Sequence, residues 1–147
     1  MLKKILLIVC VILSFSSYSI TIDYSLRMPK PQNHYFEVEM KITKVSSKFI
    51  DIKMPVWTPG SYMIREFSKN VNLVVAKDEL GNNLNVNKIS KNTWRIQTKG
   101  IKEVKIIYEV YAFELSARSS FLDQSHGFVS GSSIFMYVDG EKKQAEN

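Results

Sequence analysis

Cysteine occurs once in the 147 residues, at Cys10, and histidine twice, at His34 and His126. One cysteine excludes an internal disulfide framework and any metal site built on several thiolates. Two histidines leave little for an imidazole-rich site. His34 is followed by Tyr35-Phe36-Glu37-Val38 and His126 by Gly127-Phe128-Val129-Ser130, so neither opens a His-Glu-x-x-His zinc motif. No apolar run reaches the ~20 residues that a membrane-spanning helix needs. The formal charge is +6, from 20 Lys and Arg against 14 Asp and Glu. Those cations do not cluster. Lys41, Lys44, Lys48 and Lys53 alternate with apolar residues, as on a solvated sheet face, so the excess reads as solubility and no nucleic-acid partner is expected.

What is present begins with a leader. Lys3 and Lys4 supply a positive start, Leu6 to Leu13 an apolar stretch, and Ser14 to Ser19 the small residues of a cleavage site, placed after Ser19. An uncleaved N-terminal anchor is the alternative, and the shortness of the run argues against it. Cys10 lies inside the apolar run without small residues before it, against lipid modification, and leaves with the leader. The expected location is therefore exported, periplasmic or extracellular, with no stable membrane span after leader removal. Removing residues 1–19 leaves 128 residues, and losing Lys3 and Lys4 lowers the charge to +4. That is the size of one domain, able to bury a core without covalent staples.

The mature chain alternates with period two, the signature of half-buried strands. Ile20, Ile22, Tyr24, Leu26 and Met28 share one face, until Pro29 and Pro31 break the run. Phe36, Val38, Met40 and Ile42 alternate with Glu37, Glu39 and Lys41. Ser46-Ser47 turns the chain, and Ile50, Ile52 and Met54 lead to a loop at Trp57. Val71, Leu73 and Val75 start another strand, Asp78 to Asn83 reads as a hairpin turn, and Leu84 and Val86 return. Trp94 and Ile96 make a short strand. Val104, Ile106, Tyr108, Val110 and Ala112 form the longest one, with Ile107, Tyr111 and Phe113 on its other face, as expected of a central or partner-covered strand. Ile134, Met136 and Val138 suggest the last strand. No segment sustains a 3.6-residue period. About eight short strands predict an all-β fold, a twisted antiparallel β-sandwich over residues 20–140, with Glu141 to Asn147 as a polar tail.

Catalytic motifs are few. Ser61 sits in Thr58-Pro59-Gly60-Ser61-Tyr62, which is not the Gly-x-Ser-x-Gly elbow of a nucleophilic serine. Gly127 and Gly131 read as turn residues, since no helical pattern follows to make a phosphate cradle. Asp123 and His126 lie three apart, close enough for a loop hydrogen bond, and loop ordering is the simpler reading of that pair. Trp57 and Trp94 read as core anchors because each flanks or sits within a strand. Tyr111, Phe113 and Phe121 could form a ring strip for a sugar. Richest in side-chain chemistry is Trp57-Thr58-Pro59-Gly60-Ser61-Tyr62-Met63-Ile64-Arg65-Glu66-Phe67. Pro59-Gly60 turns it, because Pro fixes φ and Gly tolerates φ > 0. Tyr62, Arg65 and Glu66 are its candidate interface or substrate-facing residues. Arg65 can fork onto a carboxylate and Tyr62 can offer an amphipathic wall. The other reading gives Arg65 and Glu66 only intradomain or solvent contacts and puts Tyr62 in the core.

WTPGSYMIREFSKNV and, further on, VYAFELSARSSFLDQSHGFVSGSSIFMYVDG from Val110 to Gly140 carry a resemblance. The chain resembles the N-terminal domain of the glycyl aminopeptidase family, secreted or periplasmic zinc metallopeptidases with a thermolysin-like catalytic domain. The resemblance covers about residues 20–140. It implies a non-catalytic domain, or a truncated form, that scaffolds one wall of a substrate cleft. The family's zinc belongs to the catalytic domain, so no cofactor, no metal ligand and no catalytic residue is expected in these residues. A metallopeptidase catalytic domain or a peptide is the expected partner. An uncovered apolar face at Ile107, Tyr111 and Phe113 would add self-association. The reading of another class is a free-standing exported β-sandwich that binds a peptide or glycan through the Trp57–Phe67 loop.

Overall fold

The computed structural model describes residues 20–61 and 63–140. The proposed leader, the tail and Tyr62 lie outside the described residues. Within them the chain is all-β with antiparallel sheets: eleven strands, one short helix and two 3₁₀ turns. The strands are β1 (Thr21–Arg27), β2 (Tyr35–Thr43), β3 (Phe49–Lys53), β4 (Val71–Asp78), β5 (Asn83–Leu84), β6 (Val86–Ser90), β7 (Thr93–Gln97), β8 (Glu103–Tyr111), β9 (Phe121–Leu122), β10 (Gly127–Phe128) and β11 (Tyr137–Val138). Helix α1 spans Gly131–Ile134. One sheet runs β1-β2-β8-β4-β5, the second runs β11-β3-β7-β6, and β9 and β10 form a separate pair. No described helix is long and apolar enough to cross a membrane.

Alternation decides which side chains enter the core. In β2, Phe36, Val38, Met40 and Ile42 are buried while the residues between them are partly exposed. In β8, Val104, Ile106, Tyr108 and Val110 are buried in the same way. These strands pair over nine residues, Tyr35 with Tyr111 through Thr43 with Glu103. Strand β8 lies between β2 and β4, the central place its two-faced apolar pattern predicts. Ile50, Ile52, Met54, Trp94 and Ile96 of the second sheet join the same buried cluster, so the two sheets share one core.

Several expectations need correction. Val71, Leu73 and Val75 do not share a face. The register of β4 against β8 shifts between Asn72 and Val75, Leu73 adopts φ 50°, and Leu73 points outward while Ala76 is buried. A bulge adds one residue to a strand and so breaks the period of two. Ile134, Met136 and Val138 are buried but do not form one strand: Ile134 ends α1 and only Tyr137–Val138 pairs, with β3. Trp94 is a core residue, whereas Trp57 is 53% exposed. The outer face of the first sheet is mixed. Ion pairs cross it, Arg27 with Glu37, Lys41 with Glu103 at 3.0 Å, and Lys105 with Glu39 at 3.3 Å. Ile107 is half-buried there beside the exposed Val75, Tyr111 is exposed at the end of β8, and Phe113 is exposed beyond it.

Tyr108 ties the sheets together. Its buried hydroxyl donates to the Ile134 carbonyl at 3.0 Å and accepts the Met136 N–H at 3.0 Å. The Tyr24 hydroxyl donates to the Met136 carbonyl beside it. Desolvation raises both phenols, Tyr24 to about 12 and Tyr108 further. These bonds fix residues 134–136 where no ladder reaches them.

Candidate functional site

The sheet registers gather the long connections at one end. Strand β8 finishes at Tyr111, opposite the start of β2, and Val110 faces Val71 at the start of β4. The segments 28–34, 54–70 and 112–136 therefore leave the sheets on the same side. The short turns at 79–82 and 98–102 lie at the other end.

The first long loop closes on itself. The Ser61 N–H donates to the Thr58 carbonyl at 3.1 Å across Pro59-Gly60, with Gly60 at φ 77°. Pro at the second position and a positive-φ Gly at the third make this a type II turn. The Arg65 N–H donates to the Val56 carbonyl at 2.8 Å, pinching the base. Ser61 is buried, and its hydroxyl accepts Arg65 Nη2 at 3.1 Å. Arg65 Nε is buried and has no hydrogen-bond partner, the only such side-chain atom among the described residues. Glu66 points to solvent, 3.5 Å from Lys91 Nζ. Beside these polar groups Met63 is 65% exposed and Ile64 80% exposed.

The second loop meets the first. A groove of about 190 Å³ runs between residues 64–70 and 114–119 and is lined by Arg65, Glu66, Lys69, Glu114 and Arg118. Leu115, at 85% exposure, and the exposed Phe128 line a second hollow with Phe121 and His126. A row of rings packs in sequence: His34 on Phe113 with centroids 3.8 Å apart, Phe113 on Phe121 at 5.2 Å, and Phe121 on His126 at 5.1 Å. His34 Nδ1 is 2.7 Å from the Leu122 carbonyl, which fixes one end of the row. Of the three rings singled out from the sequence, Phe121 is buried while Tyr111 and Phe113 keep exposed surface. Asp123 Oδ1 accepts the N–H groups of Ser125 and His126 at 2.7 and 2.9 Å, and lies 3.3 Å from His126 Nδ1. The Ser125 hydroxyl bond and these backbone bonds hold the Asp123 carboxyl down at about 2. The pair orders a four-residue turn.

No group of three or more His, Cys, Asp or Glu among the described residues could hold a metal ion. His34 and His126 sit on different loops with their Nδ1 atoms engaged, and neither has a neighbouring ligand on a helix. These residues do not fit a zincin centre, which needs a His pair one helical turn apart and a third ligand.

The sequence profile of the peptidase M61 N-terminal domain matches residues 23–146. The chain belongs to this family. The M61 N-terminal domain also superposes on the crystal structure of an aminopeptidase N family protein from Idiomarina loihiensis, with TM-score 0.77 and 36% identity. That match covers 82% of this chain and 20% of the other, so the chain spans about a fifth of the length of its structural relative. No curated protein matches it. What is found is an N-terminal domain of a peptidase family, with no catalytic domain evident.

Of the residues singled out from the sequence, Arg65 and Glu66 lie on the groove, Asp123 and His126 lie at the far end of the ring row, and Tyr62 is outside the described residues. Sequence reasoning missed Ile64, Leu115 and Arg118. Ile64 and Leu115 break no period, because neither belongs to a strand. The available signal was their position: apolar or cationic residues inside the two blocks that resemble the family, on loops that a strand pattern leaves unassigned.

Proposed function

We propose that this M61 N-terminal domain is a non-catalytic scaffold of an exported aminopeptidase-like protein, and that its two-loop end seats against a zinc-bearing catalytic domain. The observation that carries the reading is the exposure of four large apolar side chains at this end, Met63 and Ile64 on the first loop and Leu115 and Phe128 on the second. Apolar exposure gathered on one end of a domain marks an interaction surface. Loops on a rigid sheet scaffold are also where a domain presents such a surface. The superposed protein is about five times longer than the stretch that aligns, which is consistent with such a neighbour. On this reading residues 20–140 form the domain. The whole protein would release N-terminal residues from peptides, and this part would shape one wall of the cleft.

The test uses a chimera in which this chain replaces its aligned fifth of the Idiomarina loihiensis protein. Ile64→Ser should leave the unfolding free energy of the isolated chain within about 0.5 kcal/mol of wild type, as for surface changes. In the chimera it should destabilise the docked state by about 2 kcal/mol, the loss expected for a buried aliphatic side chain. Equal effects in both settings would refute the docking role.

A further inference from the structure

The chain has four arginines, and they divide cleanly. Arg95 grips Asp51 side-on, Nε to Oδ1 and Nη2 to Oδ2, both at 2.8 Å. Arg27 donates Nε to Glu37 at 2.8 Å. Both lie on sheet faces with their carboxylates supplied by the neighbouring strand. Arg65 and Arg118 lie on the loops, line the same groove, and have no carboxylate within ion-pair distance among the described residues. Lys69 adds a third cation there. Glu66 and Glu114 are the acidic groups of the same groove, and Glu66 already faces Lys91.

Arg65 is the informative member. It uses Nη2 on the neutral Ser61 hydroxyl and leaves Nε, on the same edge of the guanidinium, buried without an acceptor. Arg95 shows what that edge does when complete: it takes both oxygens of one carboxylate. A buried donor without an acceptor is held at a free-energy penalty, which an entering acceptor removes. Planar bidentate recognition of a carboxylate is what an arginine, unlike a lysine, provides. The base pinch between Arg65 and Val56, with the turn at Pro59-Gly60, fixes the Arg65 backbone, and the Ser61 hydroxyl holds the side chain that lines the groove.

We propose that the groove between residues 64–70 and 114–119 receives an Asp or Glu side chain of the catalytic domain, with Arg65 as the fork and Arg118 as the second cation. This rests on the docking reading above and gives it a polar key at the same end as the exposed apolar side chains. Those side chains would provide the area, and the buried charge pair would fix the register of the two domains.

The experiment is ¹⁵N NMR of the arginine Nε–H groups of the chain, titrated with sodium acetate and, at matched ionic strength, with sodium chloride. Acetate should move the Arg65 Nε–H signal downfield and saturate it. The Arg95 signal, already paired, should stay. Arg118→Gln should weaken the acetate affinity about two- to five-fold, the effect of losing one exposed charge partner. A parallel arm measures melting of the chimera, where Arg65→Gln should lower the transition and leave that of the isolated chain nearly unchanged. No saturable movement at Arg65, or equal movement with chloride, overturns the carboxylate site. Loss of the Ile64→Ser effect in the chimera would instead overturn docking itself, so the two failures are told apart.

Discussion

Replacing Tyr108 by Phe removes one oxygen and orphans two backbone groups. The hydroxyl donates to the Ile134 carbonyl and accepts from the Met136 N–H, each at 3.0 Å, and Tyr108 is fully buried. Phe fills almost the same volume, so no cavity term enters. Each orphaned buried group costs about 1–3 kcal/mol. Partial relaxation of residues 134–136 would recover some of this, giving a net loss of about 2–4 kcal/mol. For a domain of this size, 1 kcal/mol moves the melting temperature by about 4 °C, so the transition should fall by about 8–16 °C. Tyr24→Phe supplies the comparison. Its hydroxyl serves the Met136 carbonyl at a part-buried position, and its loss should cost about 1 kcal/mol. Thermal melts followed by circular dichroism, with urea unfolding to check that the m-value is unchanged, read both. A Tyr108→Phe shift below about 3 °C would refute the argument that this hydroxyl anchors the segment beneath the two-loop face.

Three other outcomes follow. The Asp51 carboxyl is held below its ordinary range, chiefly by the hydrogen bond from Arg95, so its stabilising effect is complete above about pH 4 and is lost as the pH falls through its folded value. Asp51→Asn should therefore flatten the acid limb of a stability–pH curve, and an unchanged limb would contradict the pairing. Asp123, at about 2, should be the last of these carboxylates to protonate, which ¹³C NMR of side-chain carboxyls during acid titration reads directly. Gly60→Ala forces an L side chain into φ 77° where nothing touches the added Cβ, so backbone strain alone should cost about 1 kcal/mol, seen as a small drop in melting temperature and faster hydrogen exchange at the Ser61 amide.

The sheets were legible because the period of two survives wherever one face is buried. Phe36 to Ile42 and Val104 to Val110 enter the core as their alternation predicts. The pattern failed where geometry adds a residue or ends a ladder. The bulge at Asn72–Val75 turned Leu73 outward, and α1 replaced the expected strand start at Ile134. Trp57 was misplaced for a related reason: adjacency to a strand predicts burial only if the chain continues straight, and here it turns at Pro59-Gly60. Of the site, the loop at 57–67 was visible from its turn chemistry and its family likeness. Its meeting with residues 114–119 was not, since Arg65 and Arg118 are 53 positions apart and are joined only by the pairing of β4 with β8.

The docking reading is tested most directly by cysteine labelling. Ile64 and Leu80 are almost equally exposed, at 80% and 82%, and lie at opposite ends of the sheets. Ile64→Cys and Leu80→Cys should therefore react with a maleimide at similar rates in the isolated chain. In the chimera with the Idiomarina loihiensis protein, with labelled sites located by peptide mass spectrometry, the cysteine at 64 should be protected while that at 80 stays reactive. Equal labelling of both sites in the chimera would contradict the assignment of the two-loop end as the face that meets the catalytic domain.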